Sequence, residues 1–260
     1  MKIVVCIKQV PDTKGGVQFN PDGTLNRKAM LAIMNPDDKA GLEAALRLRD
    51  QYGAEVTVIT MGLPKAKDVL IEAMAMGADK AILITDRVLG GADTWATSTT
   101  LAGALRNLEY DLIITGRQAI DGDTAQVGPQ ISEHLGIPVI SYAQKLDIAG
   151  GYVIVQRQYE DGYHVLKAKM PCLITALAEL NKPRYMTPGG IMDAYRNKKV
   201  TIFSRADLDV EEGNIGLKGS PTRVFKSFTK AVKGKGTVIR LDAAESADWL
   251  VERLQEKFII

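Results

Sequence analysis

The stretch Gly116-Arg117-Gln118-Ala119-Ile120-Asp121-Gly122-Asp123-Thr124-Ala125-Gln126-Val127-Gly128-Pro129 follows the apolar run Asp111–Thr115 and leads into a segment of helical spacing. A strand ends there, and a polar, glycine-bearing loop opens onto a helix. Such a junction is where an open α/β sheet can hold a phosphate, because the first backbone N–H groups of the helix are unpaired and partly positive. Gly122 and Gly128 would allow close backbone approach, Arg117 would supply a cation able to bind in bidentate fashion, and Asp121, Asp123, Thr124 and Gln126 could reach ribose hydroxyls or a pyrophosphate. The same residues also read as a capping box, with Asp123 as N-cap and Gln126 three residues on, which needs no ligand.

The neighbouring sequence makes this loop one of several alike. Short apolar runs alternate with helical patterns: Ile3–Val10 then Asp37–Tyr52, Glu55–Thr60 then Pro64–Met76, Lys80–Thr85 then Asp93–Leu108, Asp111–Thr115 then Thr124–Leu135, and Pro138–Ser141. That alternation predicts βαβ units and a doubly wound, mostly parallel, Rossmann-like sheet. Ala40, Leu42, Ala45, Leu46 and Leu48 form the stripe of the first helix that would face it. Ligands of such sheets bind beyond the carboxyl ends of the strands. The loops there are Pro11–Asn35, Met61–Lys65, Asp86–Thr94 and Gly116–Asp123.

Beyond residue 145 the pattern becomes Tyr152–Tyr159 and Tyr163–Ala168 around Glu160-Asp161-Gly162, a hairpin signal. The run Cys172–Leu177 follows Pro171. The prolines and glycines of Leu180–Gly190 argue against a long regular element. Residues 205–235 are polar and weakly periodic, with Leu217–Lys235 basic and free of acidic residues, and an amphipathic helix is expected over Ala243–Lys257. The organisation expected is an α/β domain with hairpin over residues 1–200 and a C-terminal arm over 201–260 that wraps something.

Composition excludes several classes. Basic and acidic residues number 33 and 31, a net charge of +2, which makes no case for nucleic acid. No apolar stretch reaches membrane-spanning length, and the start of the chain has no signal-peptide core, so a cytoplasmic protein is expected. Cys6 and Cys172 lie in strand-like runs without zinc-type spacing and read as small buried hydrophobes; no metal site is expected.

Several motifs in order carry a family likeness: Val4–Asp12, Asn35-Pro36-Asp37-Asp38, Ala75–Asp79, the Gly116–Pro129 loop, the hairpin through Pro171, and Leu180–Tyr185. With these the chain resembles the beta subunit of electron transfer flavoproteins nearly from end to end. Val155-Gln156-Arg157, Glu160-Asp161-Gly162, Val165 and Pro171–Thr175 match the family signature, with one departure: His164 stands where glutamate or glutamine is usual. A lone hairpin histidine is given no chemistry.

The resemblance implies a heterodimer with an alpha subunit bearing a flavin on a mobile domain. In simpler members the beta subunit holds structural AMP. The Asp121–Pro129 form is similar instead to that of electron-bifurcating members, which bind a second FAD in that place, reduce it with NADH, and send electrons to ferredoxin or flavodoxin and, through the alpha flavin, to an acyl-CoA dehydrogenase. AMP in place of FAD is the alternative, and a free-standing adenylate-binding hydrolase or sensor is the reading outside the family, which the missing phosphate-loop lysine motif disfavours. No dinucleotide glycine fingerprint is present for NADH.

By the matching motifs, Cys6 and Lys8 would lie beside the adenosine, Asn35 and Asp38 would line it, and Met61 would sit near the base. Arg117, Gln118 and Asp121, Gly122, Asp123, Thr124, Ala125 and Gln126 would hold ribose and phosphates, with Gly91, Asp93, Thr94 and Thr97 on the pyrophosphate side. The Gly90–Thr97 loop alternatively reads as a turn capped by Asp93. Leu180, Asn181, Pro183, Arg184 and Tyr185 match a loop that docks the dehydrogenase, Leu180 serving as an exposed anchor; otherwise Leu180 is buried in its own fold. No residue is expected to be catalytic.

Overall fold

A computed structural model describes residues 1–12, 31–197, 199–223, 225 and 236–260. The chain divides into two compact units, Met1–Val224 and Phe225–Ile260.

The larger unit is built on β1 (Lys2–Cys6), whose Ile3 and Val5 join one apolar cluster and whose Val4 and Cys6 join another on the opposite face. A strand apolar on both faces needs cover on both, as parallel α/β sheets provide. The chain continues through the short strands β2 (Gln9–Pro11) and β3 (Ala32–Met34), helix α1 (Pro36–Tyr52), β4 (Glu55–Met61), α2 (Lys67–Met76), β5 (Lys80–Ile84), α3 (Thr94–Leu105), β6 (Leu112–Gly116), α4 (Val127–Leu135), β7 (Val139–Ala149), β8 (Tyr152–Tyr159), β9 (Gly162–Lys169), β10 (Cys172–Ala176), α5 (Pro188–Arg196) and β11 (Val200–Phe203).

Nine strands form one sheet in the order β11-β5-β4-β1-β6-β10-β7-β8-β9. From β11 to β7 every neighbouring pair is parallel, and β8 and β9 extend the edge as an antiparallel hairpin. Helices α1 and α2 cover one face, while α3 and α4 contribute to the other. The expected stripe of α1 is buried, from Ala40 to Leu48. The chain runs outward from β1 through β4 to β5 and then crosses back to β6 on β1's other side, so the winding reverses between β1 and β6. Crevices of open α/β sheets form at that reversal, outside the carboxyl ends of the strands.

Four features differ from the sequence expectation. The expected Ile3–Val10 run is broken after Cys6, and its end, β2, pairs antiparallel with β3 from the Pro11–Asn35 loop; residues 13–30 lie outside those described. Helix α4 begins at Val127 rather than Thr124. A nine-residue helix, α5, starts inside the glycine-rich stretch: Thr187 caps it by accepting from Gly190 N–H at 3.0 Å, and Gly190 is required because a Cβ there would collide with the Ala75 carbonyl of α2. Finally, the α/β unit continues past the expected boundary at residue 200. β11 pairs with β5, and Leu208, Ile215 and Ser220 are buried. Of the basic Leu217–Lys235 segment, Val224 and residues 226–235 lie outside those described.

The smaller unit contains α6 (Ala243–Glu256), capped by Asp242 accepting from Glu245 N–H at 2.9 Å. Among the described residues no helix is long and apolar enough to cross a membrane.

Candidate functional site

Two buried polar side chains fasten the crevice between β1 and β6. Asp38, in the first turn of α1, accepts from Lys8 N–H at 2.8 Å and from Gly116 N–H at 2.9 Å, so one carboxylate ties together the chain leaving both strands. Burial pushes its carboxyl up to about 7 despite the Asn35 and backbone donors that favour the charged form. Asn35, fully buried, donates to the Gln118 carbonyl at 2.8 Å and accepts from Ile120 N–H at 3.1 Å, fixing the loop after β6 to the start of α1. Both residues act on loop backbone. The sequence placed them as ligand contacts; the structure gives their polar atoms positioning work.

The loop itself presents its polar groups outward. Lys8 Nζ reaches both Asp121 oxygens, at 2.7 and 2.9 Å, and the Gln118 amide donates to Asp123. Asp123 and Ala125 each adopt φ of 52°, the left-handed region that non-glycine residues occupy only when the surroundings demand it. Asp123 therefore does not cap α4: Gln126 is the N-cap, without a side-chain hydrogen bond, so the capping-box reading is not realised. Gly122 and Thr124 are exposed. Gly128 serves the fold, since a Cβ there would lie 2.6 Å from Thr115 Oγ1 and 2.9 Å from Thr175 Cγ2. Its close approach is to the strands beneath it, not to open space where a ligand could sit.

Arg117 lies 3.4 Å from Asp37 through Nε, an ion pair without a hydrogen bond: Arg117 Nε and Asp37 Oδ2 are both buried with no hydrogen-bond partner. Burial raises the Asp37 carboxyl even though the Arg117 charge opposes this. The neighbouring β5–α3 loop converges on the same region, where Thr94 Oγ1 donates to Gln126 Oε1 at 2.9 Å, linking the first turn of α3 to the N-cap of α4. Asp93 caps α3 by accepting from Ala96 N–H at 3.0 Å, so that reading of the loop is realised, and its other oxygen accepts from Thr222. Gly91 is exposed with φ of 73°, and Thr97 sits half-buried one residue after Ala96.

Cys6 is buried beneath the site, and burial together with the nearby Asp38 charge pushes its thiol up to about 12; Cys172 is buried too, and both are free thiols. Met61 is half-buried against the α3 and α4 side of the core.

Residues 180–185 lie elsewhere, along α1. Leu180 is half-buried against the core rather than exposed, a correction of its expected presentation, whereas Tyr185 is 88% exposed. The segment is pinned: Asn181 donates to the Ala40 carbonyl at 2.9 Å, and Arg184 binds Glu43 Oε2 through its backbone N–H at 3.1 Å and its Nε at 2.8 Å. Pro183 lies between them.

The electron transfer flavoprotein domain family matches residues 22–208. Along its whole length the chain is 54% identical to an electron transfer flavoprotein subunit beta of Clostridium acetobutylicum, all of which is covered. The chain belongs to the electron transfer flavoprotein beta-subunit family. Similarity also extends over the full length of two other relatives, at 50% identity to a caffeyl-CoA reductase-Etf complex subunit of Acetobacterium woodii and at 49% to an acryloyl-CoA reductase electron transfer subunit gamma of Anaerotignum propionicum.

The crevice presents hydrogen-bond donors that an anionic group could use. It offers the first turn of α4 with no side-chain cap, the Thr97 hydroxyl and the part-exposed guanidinium of Arg117. These are donors for phosphate and ribose oxygens. Sequence reasoning missed Asp37 and Thr222. Asp37 stood in the quoted Asn-Pro-Asp-Asp motif beside a predicted helix start, which was its available signal; Thr222 is distant in sequence and gave none.

Proposed function

We propose that this chain is the FAD-holding beta subunit of a cytoplasmic, heterodimeric, electron-bifurcating electron transfer flavoprotein, paired with an alpha subunit. When bound, FAD supplies hydride acceptance from NADH and one-electron release, to ferredoxin or flavodoxin and, by way of the alpha-subunit flavin, to an acyl-CoA dehydrogenase. The chain's own residues bind and orient. Arg117, the Thr94 backbone N–H, the Thr97 hydroxyl and the first turn of α4 hold phosphate oxygens, Gln118 and Asp121–Gln126 surround the ribose, and Asp38 and Asn35 keep both loops in register. Lys8, Met61 and Gly91 complete the walls. Cys6, with its thiol protonated throughout the neutral range, takes no nucleophilic part. Binding and electronics are what the protein contributes in cofactor proteins of this kind. The segment Leu180–Tyr185 docks the dehydrogenase.

The observation that carries FAD over AMP is the Thr94–Gln126 link, which draws the N-terminus of α3 to that of α4. Two helix N-termini suit two phosphates better than one. The reductase-associated names of two relatives favour a reductase-coupled role. Anaerobic mixing of the purified heterodimer with NADH, ferredoxin, an acyl-CoA dehydrogenase and its enoyl-CoA tests it. Ferredoxin should be reduced only when the enoyl-CoA is present; failure of NADH to reduce any flavin would overturn the proposal.

A further inference from the structure

Residues 216 to 222 run against the β5–α3 loop. Leu217 N–H donates to the Gly90 carbonyl at 2.9 Å, and a Cβ on Gly216 would strike the Val88 carbonyl. Asp93 N–H donates to Ser220 Oγ at 2.9 Å, and that hydroxyl donates onward to the Gly216 carbonyl at 2.8 Å. Asp93 Oδ2 then accepts from both Thr222 N–H, at 2.9 Å, and Thr222 Oγ1, at 2.8 Å, while Oδ1 caps α3. At the loop's other end Asp86 accepts from Arg205 N–H at 3.1 Å. Every oxygen of Asp93 is thus committed within the protein, which leaves it no role as a contact to phosphate; a carboxylate facing a phosphate would in any case repel it.

We propose that Asp93 is a positioning residue: with Ser220 and Thr222 it forms a brace through which the chain segment preceding the Phe225–Ile260 unit holds the first turn of α3 in place for the nucleotide. This rests on the assignment of the crevice as the FAD site. The brace ends at Thr222, two residues before the unit boundary at Val224. Hydrogen bonds to a charged group are the stronger kind, so losing one has a measurable effect.

Two substitutions separate the brace from the helix cap. Thr222→Val removes the hydroxyl donor and leaves the cap; Asp93→Ser retains capping ability, serine being a good N-cap, but cannot reach Thr222. In the purified heterodimer, both should speed release of bound FAD roughly tenfold, the size expected for one charge-assisted hydrogen bond, and should raise amide exchange at residues 215–222 and 94–97. Thr222→Ser should behave as wild type, and thermal melting should barely move in any variant. Unchanged FAD release in Thr222→Val, with FAD present in wild type, would overturn the inference. A wild type without FAD, in which Thr222→Val still raises exchange at residues 94–97, would sink the FAD assignment and uphold the brace; no rise there would sink the brace as well.

Discussion

The two ends of the same strands are built on opposite plans. At the amino end, Lys2 pairs with Glu109 and Lys80 with Glu55 at 2.8 Å, all with solvent-exposed side chains, and open concavities lie among them, lined by Met1, Arg106, Tyr110 and Asp111. At the carboxyl end, Asn35, Asp37, Asp38, Thr115 and Thr175 are buried. Burying polar groups is costly unless each is satisfied, and an exposed ion pair contributes little. The amino end is therefore a solvated rim despite its hollows, whereas the carboxyl end spends stability on holding two loops in a fixed arrangement. Concavity alone marks the amino end, whereas the buried polar side chains mark the carboxyl end.

The largest effect expected from this contrast is at Asn35. Asn35→Ala removes two buried hydrogen bonds and strands the Gln118 carbonyl and Ile120 N–H, a loss of about 2–4 kcal/mol for buried groups left unpaired. A chemical-denaturation midpoint equal to wild type would show the loop needs no such clamp. Arg117→Ala comes next. It removes the cation facing Asp37 and the proposed phosphate contact, weakening nucleotide binding by about 1.5–3 kcal/mol, as for hydrogen bonds to charged groups. Flavin should wash out on gel filtration under conditions where wild type keeps it; undiminished FAD content and an unchanged spectrum would remove Arg117 from the site.

Asp38 gives a pH signature. Its folded-state value of about 7 lies above the ordinary 3.8, so between those values the folded protein binds a proton that the unfolded chain does not. This group's contribution to stability is therefore greatest below about pH 4, declines as pH rises toward 7, and is level beyond. Asp38→Asn should flatten that part of the stability–pH profile, and a wild-type profile rising through this interval relative to the variant would reverse the sign. The smallest effect belongs to the amino end: Lys2→Ala and Glu109→Ala should leave the melting temperature and nucleotide content unchanged, and a clear drop in either would erase the distinction between the two ends.

The strands and helices of the α/β unit were legible because each apolar run or helical stripe had to be covered locally; Ile3–Cys6 and the α1 stripe are the plainest cases. Non-local placement was not legible. Nothing in Cys172–Ala176 says that β10 inserts between β6 and β7, and Leu208 and Ile215, isolated among polar residues, are buried only because the opposite wall of the core comes to meet them. Gly189-Gly190 reads as a helix breaker until the Ala75 carbonyl is seen against it. At the crevice the structure brings together loops that the sequence singles out, but with roles no local pattern announces: Asp38, Asn35 and Gly128 hold the loops and strands together, and Asp123 departs from its expected cap for a left-handed backbone.

The central claim, that the carboxyl-end crevice holds a dinucleotide, is tested most directly by acid extraction of the purified heterodimer and chromatographic counting of what is released. Two FAD and no AMP per heterodimer is the predicted result, and one FAD with one AMP would contradict it.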